Sequence, residues 1–106
     1  MVEELSMWRK DQLNSSQRKT LEEIFENPVR SDVAWVEIES LFVALGGKIR
    51  EGKGSRVRVF LNGVVAIFHR PHPKKETDKG ALRSVRTFLT RADAARGENA
   101  VTMSHP

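Results

Sequence analysis

The sequence predicts an α+β domain: a three-stranded antiparallel sheet with helices on one face, ordered α-β-β-β-α behind an extra N-terminal helix. Three observations carry this prediction. Apolar residues recur at helical spacing in three separate stretches. Between the second and third of these the period changes to two, on either side of Asn62-Gly63. A chain of 106 residues has room for one core, so these elements must share it.

The elements follow in order. Residues 1–14 are polar and read as an N-terminal extension, and 15–92 as the domain. Ser15 and Ser16 are good N-caps for a first helix over 17–26, where Leu21, Ile24 and Phe25 fall on one side. Asn27-Pro28 ends it, because a residue before proline avoids helical angles. A second helix over about 35–45 sets Ile38, Leu41, Phe42 and Leu45 in a buried stripe, and Gly46-Gly47 supplies the left-handed stop. Residues 48–51 form a short strand before the Gly52-Lys53-Gly54 turn.

Strands over 56–61 and 64–69 flank Asn62-Gly63, the strongest short hairpin signal. A two-residue turn fixes the register, so Leu61 faces Val64, Val59 faces Ala66 and Arg56 faces His69. One face then carries Val57, Val59, Leu61, Val64, Ala66 and Phe68, all apolar, and must cover the core. The other carries Arg56, Arg58, Phe60, Val65, Ile67 and His69. Two prolines keep 70–75 from being helical. Thr77 or Asp78 caps a third helix over about 79–92, with Leu82, Val85, Phe88 and Leu89 inward and Lys79, Arg83 and Arg86 outward. Residues 93–106 show no sustained periodicity and read as a flexible tail.

Composition excludes several functions. The chain has no cysteine, which removes disulfide scaffolds, thiol nucleophiles and Cys-ligated metal sites. It has no apolar run long enough for a transmembrane helix and no secretory h-region at its start, so a cytoplasmic protein is expected. The net charge of +4 conceals a division. Residues 1–47 hold five basic and nine acidic side chains, whereas 48–106 hold thirteen basic and five acidic ones. A basic half of this kind attracts a polyanion, or is simply a solvated face.

The positions of the charges favour chemistry on RNA. His69 is expected opposite Arg56, with Arg58 and Arg70 close by. Cleavage of RNA needs a base for the ribose 2′-OH and cations for the charge that builds on the phosphate. Imidazole, with an unperturbed pKa of about 6.5, suits the first role; guanidinium, always charged and bidentate, suits the second. Arg56, Arg58 and Arg70 are the candidate phosphate ligands, and Lys74, Lys75, Lys79 and Arg83 the candidate backbone ligands. His69 and His72 flank Pro71 in a spacing that fits no defensible metal geometry, so no metal site and no cofactor are expected. The apolar residues of the same face, Phe60, Val65 and Ile67, call for a protein partner. Base stacking on Phe60 and return of the N-terminal helix onto this face are the competing readings.

Residues 35–89 resemble the HicA toxins of bacterial toxin–antitoxin pairs. The resemblance rests on the helix ending Ala44-Leu45-Gly46-Gly47, the glycine turn before Gly54-Ser55, the hairpin, and the helix opening Lys79-Gly80-Ala81-Leu82-Arg83-Ser84-Val85. It is nearest a subgroup with Gly54-Ser55-Arg56-Val57-Arg58-Val59 and His69-Arg70-Pro71-His72-Pro73. It implies a fold like a double-stranded-RNA-binding domain and metal-independent endoribonuclease activity on mRNA. It also implies a HicB antitoxin that covers the active face.

One departure matters. The family's Gly-Ser-His reads Gly54-Ser55-Arg56 here, and arginine is no base at neutral pH. Either His69 has taken over the catalytic role, or the chain binds RNA or its antitoxin without cutting. A third reading, a structural protein that only binds a partner through the apolar sheet face, uses none of the RNA chemistry.

Overall fold

The computed structural model describes residues 12–103. Most of the extension read over 1–14, and the last three positions of the tail, lie outside the described residues.

Helix α1 spans Ser15–Ile24. Its cap is Asn14, one residue earlier than the two serines predict. Asn14 Oδ1 accepts from the Gln17 amide at 2.8 Å, and Gln17 Oε1 accepts from the Asn14 amide at 3.0 Å. This reciprocal capping box satisfies two backbone donors, which a serine cap alone does not. Leu13, just ahead of it, is buried in the core.

Strand β1 (Val33–Ala34) leads directly into helix α2 (Trp35–Ala44). Ala34 offers no side-chain cap; instead the Trp35 amide donates to the carbonyl of Lys75 at 3.0 Å. The end of α2 follows the glycine signal. Gly46 takes φ +98°, its amide donates to Val43 at 3.0 Å, and the Gly47 amide donates to Phe42 at 2.8 Å. These are the two bonds of a Schellman motif. Gly47 is required for a second reason: a Cβ there meets the Phe42 carbonyl oxygen at 2.8 Å and that of Phe60 at 3.3 Å.

Strands β2 (Lys48–Glu51), β3 (Arg56–Leu61) and β4 (Val64–His69) form an antiparallel sheet in that order. Asn62 at φ 53° and Gly63 at φ 81° make the turn, and the register matches the expectation residue for residue, including Arg56 against His69. A short strand β5 (Glu76–Thr77) pairs with β1. Neither is visible in the sequence, because two residues carry no period. Helix α3 begins at Lys79, with Asp78 as its cap through a 2.7 Å bond to the Ala81 amide. It continues past the predicted end near Ala92, through the buried Asp93, to Met103.

Helices α2 and α3 cover one face of the sheet, and α1 lies on the helices rather than on the open face. Return of α1 onto Phe60, Val65 and Ile67 is therefore ruled out: its apolar stripe is already spent against α2. Arg86, read as an outward residue, points at the end of α1. It donates to the carbonyls of Ile24 and Glu26 and, at 3.2 Å, to Asn27 Oδ1. Those carbonyls have no helical partner of their own.

Four rings bind the layers together. Phe68 of β4 lies 5.8 Å from Phe42, 5.5 Å from Trp35 and 5.7 Å from Phe88. Val57, Val59 and Leu61 are fully buried with it, but Val64 and Ala66 are only half-buried. The reason is position: β4 is an edge strand, and α3 leaves a groove beside its first half.

Three substitutions test this packing. Phe68→Ala should cost about 3–5 kcal/mol in urea unfolding, while Val65→Ala on the open face should stay within about 0.5 kcal/mol. Gly47→Ala should destabilise by about 1–3 kcal/mol, because the obstructing atoms are backbone.

Candidate functional site

Period-two alternation and two registers define the open face of the sheet. Lys48 faces Phe60, which faces Val65; Arg50 faces Arg58, which faces Ile67; Arg56 faces His69. The result is a three-stranded grid with cations on the two strands β2 and β3 and apolar side chains on β4. Val65 and Ile67 are each 51% exposed, enough to be felt by a partner. Phe60 is half-buried between Lys48 and Val65.

Parity fixes the Arg56–His69 geometry. The Arg70 amide donates to the Ser55 carbonyl at 2.8 Å, so residues 55 and 70 form a hydrogen-bonded pair. The adjacent pair, Arg56 and His69, is then of the non-hydrogen-bonded kind, in which side chains stand closest, with Cα atoms about 4.5 Å apart. Both side chains are exposed. An imidazole and a guanidinium held this way can meet one phosphodiester from the same side.

Arg70 is placed differently from the expectation. It follows His69, so alternation turns it to the core side of the sheet. There its Nε donates to Glu39 at 2.7 Å and its Nη2 to the other oxygen of the same carboxylate at 3.1 Å. A third contact joins Nη1 to Glu51 at 3.1 Å. Glu39 first, and Glu51 second, hold the guanidinium pKa above its ordinary value. Glu39 also accepts from the indole N–H of Trp35. Arg70 thus ties the end of β4 to α2, and its donors are engaged by carboxylates rather than presented on the open face.

The remaining candidates do not gather in one place. Lys74 and Lys75 are exposed on the segment before β5, and Lys79 opens α3. Arg83 lines the groove between β4 and α3. Conversely, Lys48 and Arg50 join Arg58 on the open face without having been singled out from the sequence. The signal was available in principle: counting back from Phe60 through the glycine turn gives their parity once the turn's length is known. Among the described residues no three His, Cys, Asp or Glu side chains are grouped to hold a metal ion, and no helix is long and apolar enough to cross a membrane.

Comparison with known proteins gives one match. The model of the HicA toxin of bacterial toxin–antitoxin systems covers residues 35–93, more than half the chain. No curated protein and no solved structure matches. The matched segment begins at the first residue of α2 and runs through the whole three-stranded sheet into α3, leaving α1 outside. The match implies a toxin–antitoxin partner of some kind. The chain belongs to the HicA toxin family of bacterial toxin–antitoxin pairs.

Proposed function

We propose that the chain is an endoribonuclease toxin that cleaves mRNA on its open sheet face and is neutralised by a HicB-type antitoxin. The observation that carries this reading is the direct opposition of Arg56 and His69 beside the cations of β2 and β3. His69 accepts the 2′-OH proton, and the resulting alkoxide attacks the adjacent phosphorus. The P–O5′ bond breaks, leaving a 2′,3′-cyclic phosphate, and the departing 5′ oxygen takes a proton from water to become the 5′-hydroxyl. Arg56 stabilises the phosphorane charge, and Arg58, Arg50 and Lys48 hold flanking phosphates. The chemistry needs no cofactor, and an mRNA substrate puts the site of action in the cytoplasm. Lys74, Lys75, Lys79 and Arg83 extend the charged track outside the grid. Phe60, Val65 and Ile67 supply the apolar contact for the antitoxin, so the inhibitor and the substrate compete for one surface.

The arginine at position 56, where the family motif carries histidine, favours a second reading. Without a base at that position the same face binds RNA and does not cut it.

Growth inhibition and in vitro cleavage separate the two. His69→Ala should abolish both while antitoxin binding persists, and Arg56→His should restore or raise cleavage if the family's histidine mechanism still operates on this face. Equal cleavage by wild type and His69→Ala would sink the proposed base and turn attention to His72. Cleavage by neither makes the binding reading the better one.

RNA affinity should fall steeply with salt as counterions are released. Replacing Arg50, Arg58 or Lys48 singly by alanine should each lower the slope of log K against log salt by about 1. Lys74→Ala and Lys75→Ala should weaken binding without changing sequence preference. An affinity unchanged between low and high salt counts against RNA as the ligand.

A further inference from the structure

The groove beside β4 lies away from the Arg56–His69 pair and shares only Arg83 with the proposed RNA track. It has a volume of about 280 Å³ and a floor of Val64, Ala66 and Phe88, with Arg83 and Arg91 at its rim. Next to it runs an unprotected sheet edge. The Arg70-to-Ser55 bond sets the parity of β4, so the N–H and C=O groups of Val65, Ile67 and His69 point away from β3. None of these groups makes a backbone hydrogen bond to another element among the described residues.

The two edges of the sheet differ in kind. β2 carries Lys48, Arg50 and Glu51, the charges with which soluble proteins blunt an edge. β4 reads Val-Val-Ala-Ile-Phe-His, with no lysine, proline or acidic residue to repel another strand. An edge left in this state is a template for strand addition.

The charges indicate what adds. Arg83 and Arg91 are exposed and have no carboxylate partner among the described residues. On the open side the neighbour of Ile67 is Arg58. A second copy of this chain would bring the same arginines against their own kind, so the surface favours an acidic strand. Its spacing follows from the helix. Eight residues from Arg83 to Arg91 rise about 12 Å, which is the reach of about four residues of extended chain. An even spacing also keeps both carboxylates on the groove side of the added strand. The Asn62 side chain donates to the Ala92 carbonyl at 2.9 Å, and the Phe68 ring lies against Phe88, so Arg91 sits toward the hairpin tip and Arg83 farther along β4.

We propose that the antitoxin polypeptide binds by adding an extended strand to the β4 edge, with two acidic residues four apart on Arg83 and Arg91 and a small apolar residue midway between them over Val64 and Ala66. The occupant's being the antitoxin rests on the toxin–antitoxin reading above; the strand addition rests on the edge and groove alone.

The test uses the full chain and the peptide acetyl-Thr-Glu-Thr-Val-Thr-Glu-Thr-amide, followed by calorimetry at low salt. It should bind at least tenfold more tightly than acetyl-Thr-Glu-Thr-Val-Glu-Thr-Thr-amide, the isomer with glutamates three apart. Methylating the peptide's backbone nitrogens at alternate positions should abolish binding for one set and spare it for the other. Ile67→Pro removes an outward N–H without touching the bonds to β3, and should cut affinity at least tenfold relative to Ile67→Thr, which loses the same apolar side chain but keeps that N–H. No saturable binding, equal binding of the two isomers, or tolerance of both methylated sets overturns the proposal. If Ile67→Pro does not fold by circular dichroism, the methylated peptides decide. A concentration-dependent dimer that Ile67→Pro dissociates, with no peptide binding, assigns the edge to a second copy and likewise overturns it. Co-expressing a small reading frame adjacent to the gene for this chain, where it suppresses growth inhibition, tests the antitoxin reading separately. Neutralisation that survives in a folded Ile67→Pro chain rejects strand addition and leaves that reading intact.

Discussion

The one-to-one register of β3 and β4 is the constraint on which the rest depends. Asn62 and Gly63 take positive φ, which suits a two-residue turn whose twist matches the strands it joins. Once the turn is set, every later side chain has an assigned face. Phe68 goes inward to the ring cluster, His69 outward to Arg56, and Arg70 inward to Glu39. A slip of one residue would expose Phe68 and bury His69, so the packing and the candidate site stand or fall together.

The face this register leaves open has a mixed character. Cations occupy β2 and β3, and exposed aliphatic side chains occupy β4. Phosphates are attracted by the first and gain nothing from the second. A folded protein partner uses both, burying Val65 and Ile67 while meeting the arginines with carboxylates. A surface of two halves gives an inhibitor contacts that the substrate lacks. In the proposed system this is how the antitoxin holds the face against RNA already attracted to it.

Much of this was legible in the sequence, and for identifiable reasons. The hairpin, the inner apolar row and the Arg56–His69 pair follow from Asn62-Gly63 and strict alternation, both local signals. The limit of α2 at Gly46-Gly47 is equally local. What escaped notice depends on distant chain. β1 and β5 are two residues each and exist because they find one another. The missing cap of α2 is supplied by the carbonyl of Lys75, forty residues away in sequence. Lys48 and Arg50 reach the open face through the β2–β3 register, which the Gly52-Lys53-Gly54 turn leaves undetermined. Arg70 and Arg86 look like surface cations in the sequence, but Glu39 and the end of α1 claim them. Arginine alone does not announce whether its partner is a ligand or the protein itself.

The claim on Arg70 bears on how the proposed base is held. Position 56 opens the central strand, whereas position 69 is the last residue of an edge strand. Such an end frays unless it is fastened, and a base must be held to within a fraction of an ångström for proton transfer to be efficient. The fastening is present. The amide of Arg70 is bonded to Ser55, the residue just ahead of β3, and its guanidinium is fixed to Glu39 on α2 and to Glu51 on β2. Glu39 is itself steadied by Trp35, whose ring packs on Phe68 one residue before His69. The residue after the histidine therefore contributes by holding it in register, which a phosphate ligand at the same position would not do.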